Sequence, residues 1–411
     1  MGDTQCDLVV FGATSFVGSI LTDYLAETFG TDGRELRWAI AGRSADKLAA
    51  LKKTLGERGE ALPMVVADAG DDQSLQRLCA DTRVVVSTVG PYALHGEPLV
   101  RACVESGTDY CDLTGEIQWI RRMLTRYEQR ARETGARIVH CCGFDSIPSD
   151  MGVYFLQQQA RARFGVPATR VKMRVRAIRG GMSGGTVASL VNVIQEARRD
   201  RQLRRELADP YSLCPEGHGM ESRQPRIRFA GQDADFGAWV APFIMAPVNT
   251  RVVLRSNALS GAAHGEEFQY DEALLTGRGV RGAMTAAMTA LGTGGFAMAA
   301  AVSPLRWLLQ RFVLPGPGEG PGPEARQKGF YDLRFVGRTA DGRELRVQVT
   351  GDRDPGYGST GKMLGQAAAC LALDVDREAV PGGFWTPSTI FGDHLLRRLE
   401  AHAGLVFKVQ E

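Results

Sequence analysis

Residues Asp7–Leu21 constrain this chain more than any others, reading Asp-Leu-Val-Val-Phe-Gly-Ala-Thr-Ser-Phe-Val-Gly-Ser-Ile-Leu. An apolar run ends in a Gly12-x-x-Ser15-x-x-Gly18 turn, after which Val17, Ile20, Leu21, Tyr24 and Leu25 recur at helical spacing. A strand, a tight turn and a helix start, in that order, aim backbone N–H groups and the positive end of a helix dipole at a pyrophosphate. Gly12, Ala13, Thr14, Ser15, Phe16, Val17 and Gly18 are therefore candidate cofactor-binding residues. The spacing is a variant of the dinucleotide fingerprint and departs from the Gly-x-Gly-x-x-Gly form.

The next 120 or so residues repeat this strand-and-helix pattern. The spacing predicts helices near 16–29, 46–55, 73–79, 97–105 and 117–134, alternating with strands near 36–41, 64–67, 84–88, 109–112 and 137–140. Strands alternating with helices over short connections predict an α/β fold, a Rossmann-like doubly wound parallel sheet. At 411 residues the chain exceeds one such domain, and a second, mixed α/β domain is expected. The expected division is 1–145 for the nucleotide domain, 146–350 for the second domain and 351–411 for a segment returning to the first.

Specificity is read at the end of the second strand. An NAD site places Asp or Glu there to accept from the ribose 2′-hydroxyl, whereas this strand ends Ala41-Gly42-Arg43-Ser44. The planar fork of Arg43 suits a 2′-phosphate, assisted by Ser44 and Lys47, so NADPH is the expected cofactor. Asp68, ending the third strand, is placed for the adenine edge, with a turn or helix-cap role an equal alternative. Thr88, Val89, Gly90 and Pro91 end the fourth strand, where the nicotinamide half belongs.

The second half is less periodic. Helices are predicted near 148–164, 186–207, 359–373 and 388–399, with a Gly180–Gly185 turn. Strands are predicted at 169–178, 226–229 and 405–409, with further short segments at 251–254 and 266–270 and a hairpin of 331–336 with 344–350. Ala283–Leu305 holds no charged residue, and 308–314 extends it. A helix packed inside the second domain is expected there, with membrane contact as the alternative. Residues 315–323, Pro-Gly-Pro-Gly-Glu-Gly-Pro-Gly-Pro, read as an extended linker.

Composition excludes some classes. A net charge of +2 gives no field to collect a nucleic acid. The eight cysteines form no Cys-x-x-Cys pair and fit reduced thiols in a cytosolic protein with no metal site, and residues 1–7 show no secretory signal. Gly356–Met363 nearly satisfies the phosphate-loop pattern, but Met363 lacks the hydroxyl that holds magnesium. No tyrosine has a lysine four residues later, which removes the usual carbonyl-reducing pair. Tyr92, His95 and Ser146, polar groups near predicted strand ends, are the candidate catalytic residues.

Several motifs together resemble the saccharopine dehydrogenase-like oxidoreductases: Gly12–Gly18, Ala41-Gly-Arg43, Thr88–Tyr92, Tyr110-Cys-Asp-Leu-Thr-Gly-Glu116 and Cys142-Gly-Phe-Asp-Ser-Ile-Pro148. The 315–323 linker and Gly351–Gly358 are most similar to the bacterial trans-acting enoyl reductase branch. The resemblance implies a Rossmann domain completed by the C-terminal segment and an inserted mixed α/β domain. It implies NADPH-dependent reduction of a carbon–carbon double bond in a polyketide or fatty-acyl lipid precursor. The substrate would be an acyl thioester or other lipid-like molecule on a polyketide synthase acyl carrier. The family turn usually has Gly where Ser15 stands. A homo-oligomer in the cytoplasm is expected, with peripheral contact at the inner face of the plasma membrane through 283–314 as the alternative. Two alternatives stay open: a saccharopine-like amino-acid dehydrogenase using Arg174, Arg176 and Arg179 on a dicarboxylate, and a non-catalytic NADP-binding membrane adaptor.

Overall fold

The computed structural model describes residues 6–180, 184–302, 304, 307 and 320–411. The described residues divide into two compact units, one running to Phe144 and including Gly356–Gly404, the other built from Asp145 towards Pro355 with Leu405–Glu411.

In the first unit, strands and helices alternate in chain order: β1 (Cys6–Phe11), α1 (Phe16–Phe29), β2 (Trp38–Gly42), α2 (Ala45–Thr54), α3 (Glu57–Glu60), β3 (Met64–Val66), α4 (Asp72–Ala80) and β4 (Thr82–Ser87). Then come α5 (Tyr92–His95), α6 (Glu97–Ser106), β5 (Asp109–Asp112), α7 (Ile117–Thr134) and β6 (Arg137–Val139). The sheet pairs in parallel throughout. Leu8–Phe11, Trp38–Gly42 and Val84–Ser87 are buried residue after residue, as strands covered on both faces must be. Ser15, Ser44 and Asp71 cap the helices after them, so each strand-to-helix turn is closed by a side chain next to it in sequence.

The second unit holds α8 (Ile147–Phe164), β7 (Ala168–Arg179), α9 (Gly184–Arg199), α10 (Arg201–Ala208), β8 (Gly231–Asp233), β9 (Ala238–Pro242), α11 (Ala246–Leu259) and β10 (Gln269–Gly277). It continues with α12 (Gly279–Ala301), α13 (Pro323–Gln327), β11 (Phe330–Thr339) and β12 (Glu344–Gly351). Its seven-stranded sheet runs β14-β12-β11-β7-β10-β9-β8, where β14 is Leu405–Gln410. β7 and β10 pair in parallel and the other neighbours antiparallel, so the sheet is mixed as expected. α8 packs on one face: a Cβ on Gly152 would meet the Phe335 ring at 2.5 Å, and one on Gly337 would meet Leu156 at 2.5 Å.

The remaining elements of the first unit are α14 (Thr360–Leu373), β13 (Gly383–Trp385) and α15 (Pro387–His402). β13 adds a seventh strand beside β6. It is three residues long between Pro381-Gly382 and Pro387, and that flanking hid it in the sequence. Buried Arg137 ties this end together, its Nε 3.1 Å from the Asp109 carboxylate and its Nη1 donating to the Val375 carbonyl at 3.1 Å.

Several expectations are corrected. The helix predicted at 186–207 breaks at Asp200, whose carboxylate accepts from the N–H groups of Gln202 and Leu203 and starts α10. No strand forms at 226–229. Residues 251–254 are helical within α11, because Pro247 starts the helix and buried Arg251 donates to the Pro247 and Leu207 carbonyls. The 351–411 segment divides, since its last strand, β14, pairs with β12 of the second sheet. α12 is not a core helix. It meets the sheet through small residues, Gly282 and Ala286, and leaves Val280, Met288 and Leu291 at 76%, 71% and 76% exposure. Part of the Gly180–Gly185 turn, the 308–314 extension and residues 315–319 of the linker lie outside the described residues.

Candidate functional site

The turn between β1 and α1 is fixed by contacts that leave no room for larger residues. Gly12 has φ +82°, and a Cβ there would lie 2.5 Å from Val89 Cγ2. A Cβ on Gly18 would lie 2.2 Å from the Gly12 carbonyl oxygen. Gly12 and Ala13 donate their N–H groups to the Ala41 carbonyl at 2.9 and 3.1 Å, which anchors the turn to β2. Ser15 Oγ accepts from Gly18 N–H at 2.9 Å and lies 3.0 Å from Thr88 Oγ1. Thr88 in turn donates to the Gly12 carbonyl at 2.9 Å. Ser15 therefore supplies a helix cap and a link to β4. The N–H groups of Thr14 and Val17 have no partner among the described residues. A glycine cradle beneath free N–H groups at the start of a 14-residue helix fits a pyrophosphate. The Phe16 ring meets Tyr357 edge-on, with centroids 4.6 Å apart.

At the end of β2, Arg43 is exposed and makes no ion pair among the described residues. The Ser44 hydroxyl accepts from Lys47 N–H at 3.4 Å, and Lys47 itself is exposed. No carboxylate precedes Asp46, which lies in the first turn of α2. Asp68 holds its own turn, accepting from Gly70 N–H at 2.9 Å, and is exposed.

After β4 come Thr88, Val89, Gly90 and Pro91, the last two joined by a cis peptide bond. Tyr92 is buried. Its hydroxyl donates to the Ser87 carbonyl at 2.9 Å, and its ring lies against Trp119, with centroids 5.3 Å apart. His95 closes the same short helix and is exposed. Glu116 is not among the residues predicted for the site, yet its buried carboxylate accepts from the N–H groups of Tyr92 and Ala93 at 2.7 and 3.0 Å. That pair of bonds aims the chain after Pro91. Asp112 is a second such anchor, holding His140 Nδ1 at 2.7 Å, Tyr110 Oη at 3.0 Å and Thr114 N–H at 3.0 Å. Both residues sit in the Tyr110–Glu116 motif, the signal by which they were findable.

Ser146 lies in the second unit, at the start of α8. It donates to Asn249 Oδ1 at 3.2 Å, and Asn249 Nδ2 donates to Ser149 and to Glu272, at 3.1 and 2.9 Å. Tyr270 donates to the other Glu272 oxygen at 2.7 Å. Burial pushes the Glu272 carboxyl up to about 7, against the lowering pull of these bonds. Asp145, one residue before Ser146, has no side-chain partner among the described residues, and desolvation raises its carboxyl to about 7. A perturbed, unpaired carboxyl within a sequence motif marks a functional candidate that residue type and spacing alone did not single out.

Of the basic patch expected of Arg174, Arg176 and Arg179, two members are taken up by carboxylates. Arg174 is buried between Asp233 and Asp271, at 2.7 and 2.6 Å, while Arg176 pairs with Asp332 at 3.3 Å. At the glycine-rich 356–363 segment, the Thr360 hydroxyl accepts from Phe144 N–H at 3.1 Å and Met363 is fully buried, so these side chains serve packing in the first unit. Among the described residues no group of three or more His, Cys, Asp or Glu is placed to hold a metal.

Residues 8–139 match the saccharopine dehydrogenase NADP-binding domain family. A Mycobacterium tuberculosis protein provisionally named a trans-acting enoyl reductase is 42% identical over 97% of this chain and 96% of its own length. A trans-acting enoyl reductase of Mycobacterium bovis BCG is 37% identical over 98% of this chain and 97% of its own. Among solved structures, apo saccharopine dehydrogenase (L-Glu forming) from Saccharomyces cerevisiae superimposes with a TM-score of 0.52 at 14% identity, covering 98% of this chain and 99% of that one. That last likeness is one of fold.

Proposed function

Because this chain belongs to the saccharopine dehydrogenase-like oxidoreductase family that includes the mycobacterial trans-acting enoyl reductases, we propose that it reduces the carbon–carbon double bond of an α,β-unsaturated acyl thioester. The full-length similarity to proteins of that name carries the reading. Bound NADPH supplies a hydride for the β-carbon. In this reading the Thr14 and Val17 N–H groups receive the pyrophosphate, with Gly12 and Gly18 allowing its approach. Arg43 and Lys47 take the 2′-phosphate, Asp68 lies towards the adenine, and Thr88–Pro91 floor the nicotinamide half.

The thioester oxygen gathers negative charge as the β-carbon is reduced, and the α-carbon then takes a proton. Asp145 is a further candidate proton donor, since desolvation raises its carboxyl to about 7 and it has no side-chain partner among the described residues. His95 and Ser146 remain candidate donors. Tyr92 serves only if its hydroxyl leaves the Ser87 carbonyl, so we assign it first to positioning. The substrate is read as an acyl chain on a polyketide synthase carrier, since the relatives' name describes a reductase acting in trans. The exposed apolar side of α12 supports peripheral membrane contact within 283–314. By length and composition this helix could cross a bilayer. Burial of Arg174 between Asp233 and Asp271 removes it from the cluster that the amino-acid dehydrogenase alternative assigned to a dicarboxylate.

The test mixes purified protein, NADPH and an enoyl thioester, following NADPH absorbance and product mass. Loss of absorbance with a product heavier by two hydrogens is expected. No oxidation with enoyl thioesters on either coenzyme A or a carrier protein sinks the reading.

A further inference from the structure

The second sheet carries a cavity of about 400 Å³ whose wall includes Arg176 of β7, Arg334 of β11, Arg346 of β12 and Arg278. Phe236 and Leu275 supply apolar surface beside them. The volume falls in the small-molecule range of roughly 300–1,000 Å³. The wall bears four guanidiniums and no carboxylate.

The carboxylates that pair with these arginines are shared. Asp332 takes two bonds from Arg334, at 2.7 and 2.8 Å, and also pairs with Arg176 at 3.3 Å. Glu344 serves both Arg346, at 2.6 Å, and Arg338, at 2.9 Å, and Arg338 also pairs with Asp235 at 2.5 Å. Arg278 is exposed and pairs with nothing among the described residues. Positive charge is thus in excess at the cavity. Arg346 is also held in place, since it donates to the Asp235 carbonyl at 3.0 Å and its guanidinium lies 5.8 Å from the Phe236 centroid. A fork fixed before binding loses little freedom when a ligand arrives.

We propose that this cavity binds the phosphate group of an organic phosphate, with the attached apolar portion against Phe236 and Leu275. Guanidiniums from three neighbouring strands and from Arg278 line one space. A phosphate, with three equivalent oxygens and up to two charges, accepts from all of them, whereas a carboxylate offers two coplanar oxygens. Such a terminal phosphate is offered by 4′-phosphopantetheine or by a nucleotide. Phosphate binding here is independent of the enoyl reduction proposed for the chain.

The test is calorimetric titration of the full chain with NADPH saturating, so that the dinucleotide site is filled. The probes are 4′-phosphopantetheine, pantetheine and adenosine 3′,5′-bisphosphate. Phosphopantetheine binding with no heat from pantetheine is expected and identifies the arm as the source. Adenosine bisphosphate binding more tightly than phosphopantetheine still supports a phosphate site and assigns it to a nucleotide. Arg278→Ala and Arg346→Gln are each expected to weaken the favoured probe roughly tenfold, with NADPH affinity unchanged. Arg278→Ala removes no intramolecular pair and so tests the site even if Arg346→Gln fails to fold. Equal binding of pantetheine and phosphopantetheine, no binding of either phosphate, or unchanged affinity in folded Arg278→Ala overturns the proposal.

Discussion

The Ser15 hydroxyl lies 3.0 Å from the Thr88 hydroxyl, joining the turn after β1 to the end of β4. Serine in this turn therefore has a structural reason, since one oxygen caps α1 and holds the neighbouring strand end. Ser15→Ala is expected to cost about 1 kcal/mol through the lost cap and to weaken NADPH binding. Denaturation with and without NADPH measures both. Unchanged stability in the apo protein refutes the capping role.

Gly18→Ala is expected to abolish NADPH binding, because the new Cβ would overlap the Gly12 carbonyl, a backbone atom with nowhere to move. Gly12→Ala adds a strained left-handed backbone to a clash with Val89 Cγ2, a side chain that can rotate. The Gly18 variant is therefore expected to bind worse than the Gly12 variant. Fluorescence titration with NADPH checks it.

Arg43→Ala should erode cofactor choice. With Arg43 free of side-chain partners among the described residues, its loss is expected to remove charge-assisted bonds to the 2′-phosphate and little else. The ratio of kcat/KM for NADPH over NADH is expected to fall by roughly 10- to 100-fold, with thermal stability unchanged. An unaltered ratio would assign phosphate reading to Lys47 or elsewhere.

Glu272 gives a pH dependence with a definite sign. Its folded pKa of about 7 lies above the ordinary value of 4.5, so the folded state holds the proton more tightly. Its contribution is full below 4.5 and is lost as pH rises to about 7, by on the order of 3 kcal/mol at most. Glu272→Gln keeps the shape and cannot ionise. Its stability relative to wild type is expected to rise between pH 5 and pH 8, read as urea midpoints. Parallel pH profiles would refute the assignment.

The exposed side of α12 predicts membrane behaviour. Met288→Asp with Leu291→Asp changes two side chains at 71% and 76% exposure, so folding is expected to survive. Co-sedimentation with anionic vesicles should be lost while NADPH binding persists. Wild-type protein that stays in the supernatant removes the membrane-contact reading.

The first unit was legible because its signals are local. A buried strand, a capped turn and an amphipathic helix each lie within a few residues, and α1, α7 and β5 have the boundaries their spacing predicts. β13 and the placement of β14 were not legible, since pairing depends on which distant strand offers a free edge. Residues 251–254 show propensity overridden, with β-branched Val252 and Val253 buried in a helix begun by Pro247.

The order of residues along the chain was enough to establish the nucleotide-binding architecture, the missing acid after β2 and the glycines that a tight turn requires, because each depends on near neighbours in sequence. What side chains separated by many residues do to one another came from the folded molecule alone. Folding set Arg174 between Asp233 and Asp271, gave Tyr92 to the Ser87 carbonyl and left Asp145 without a side-chain partner among the described residues. It also turned the apolar side of α12 outward. Charge neutralisation, hydrogen-bond partners and burial are properties of what surrounds a residue in space, and for these residues the surroundings come from other elements of the fold.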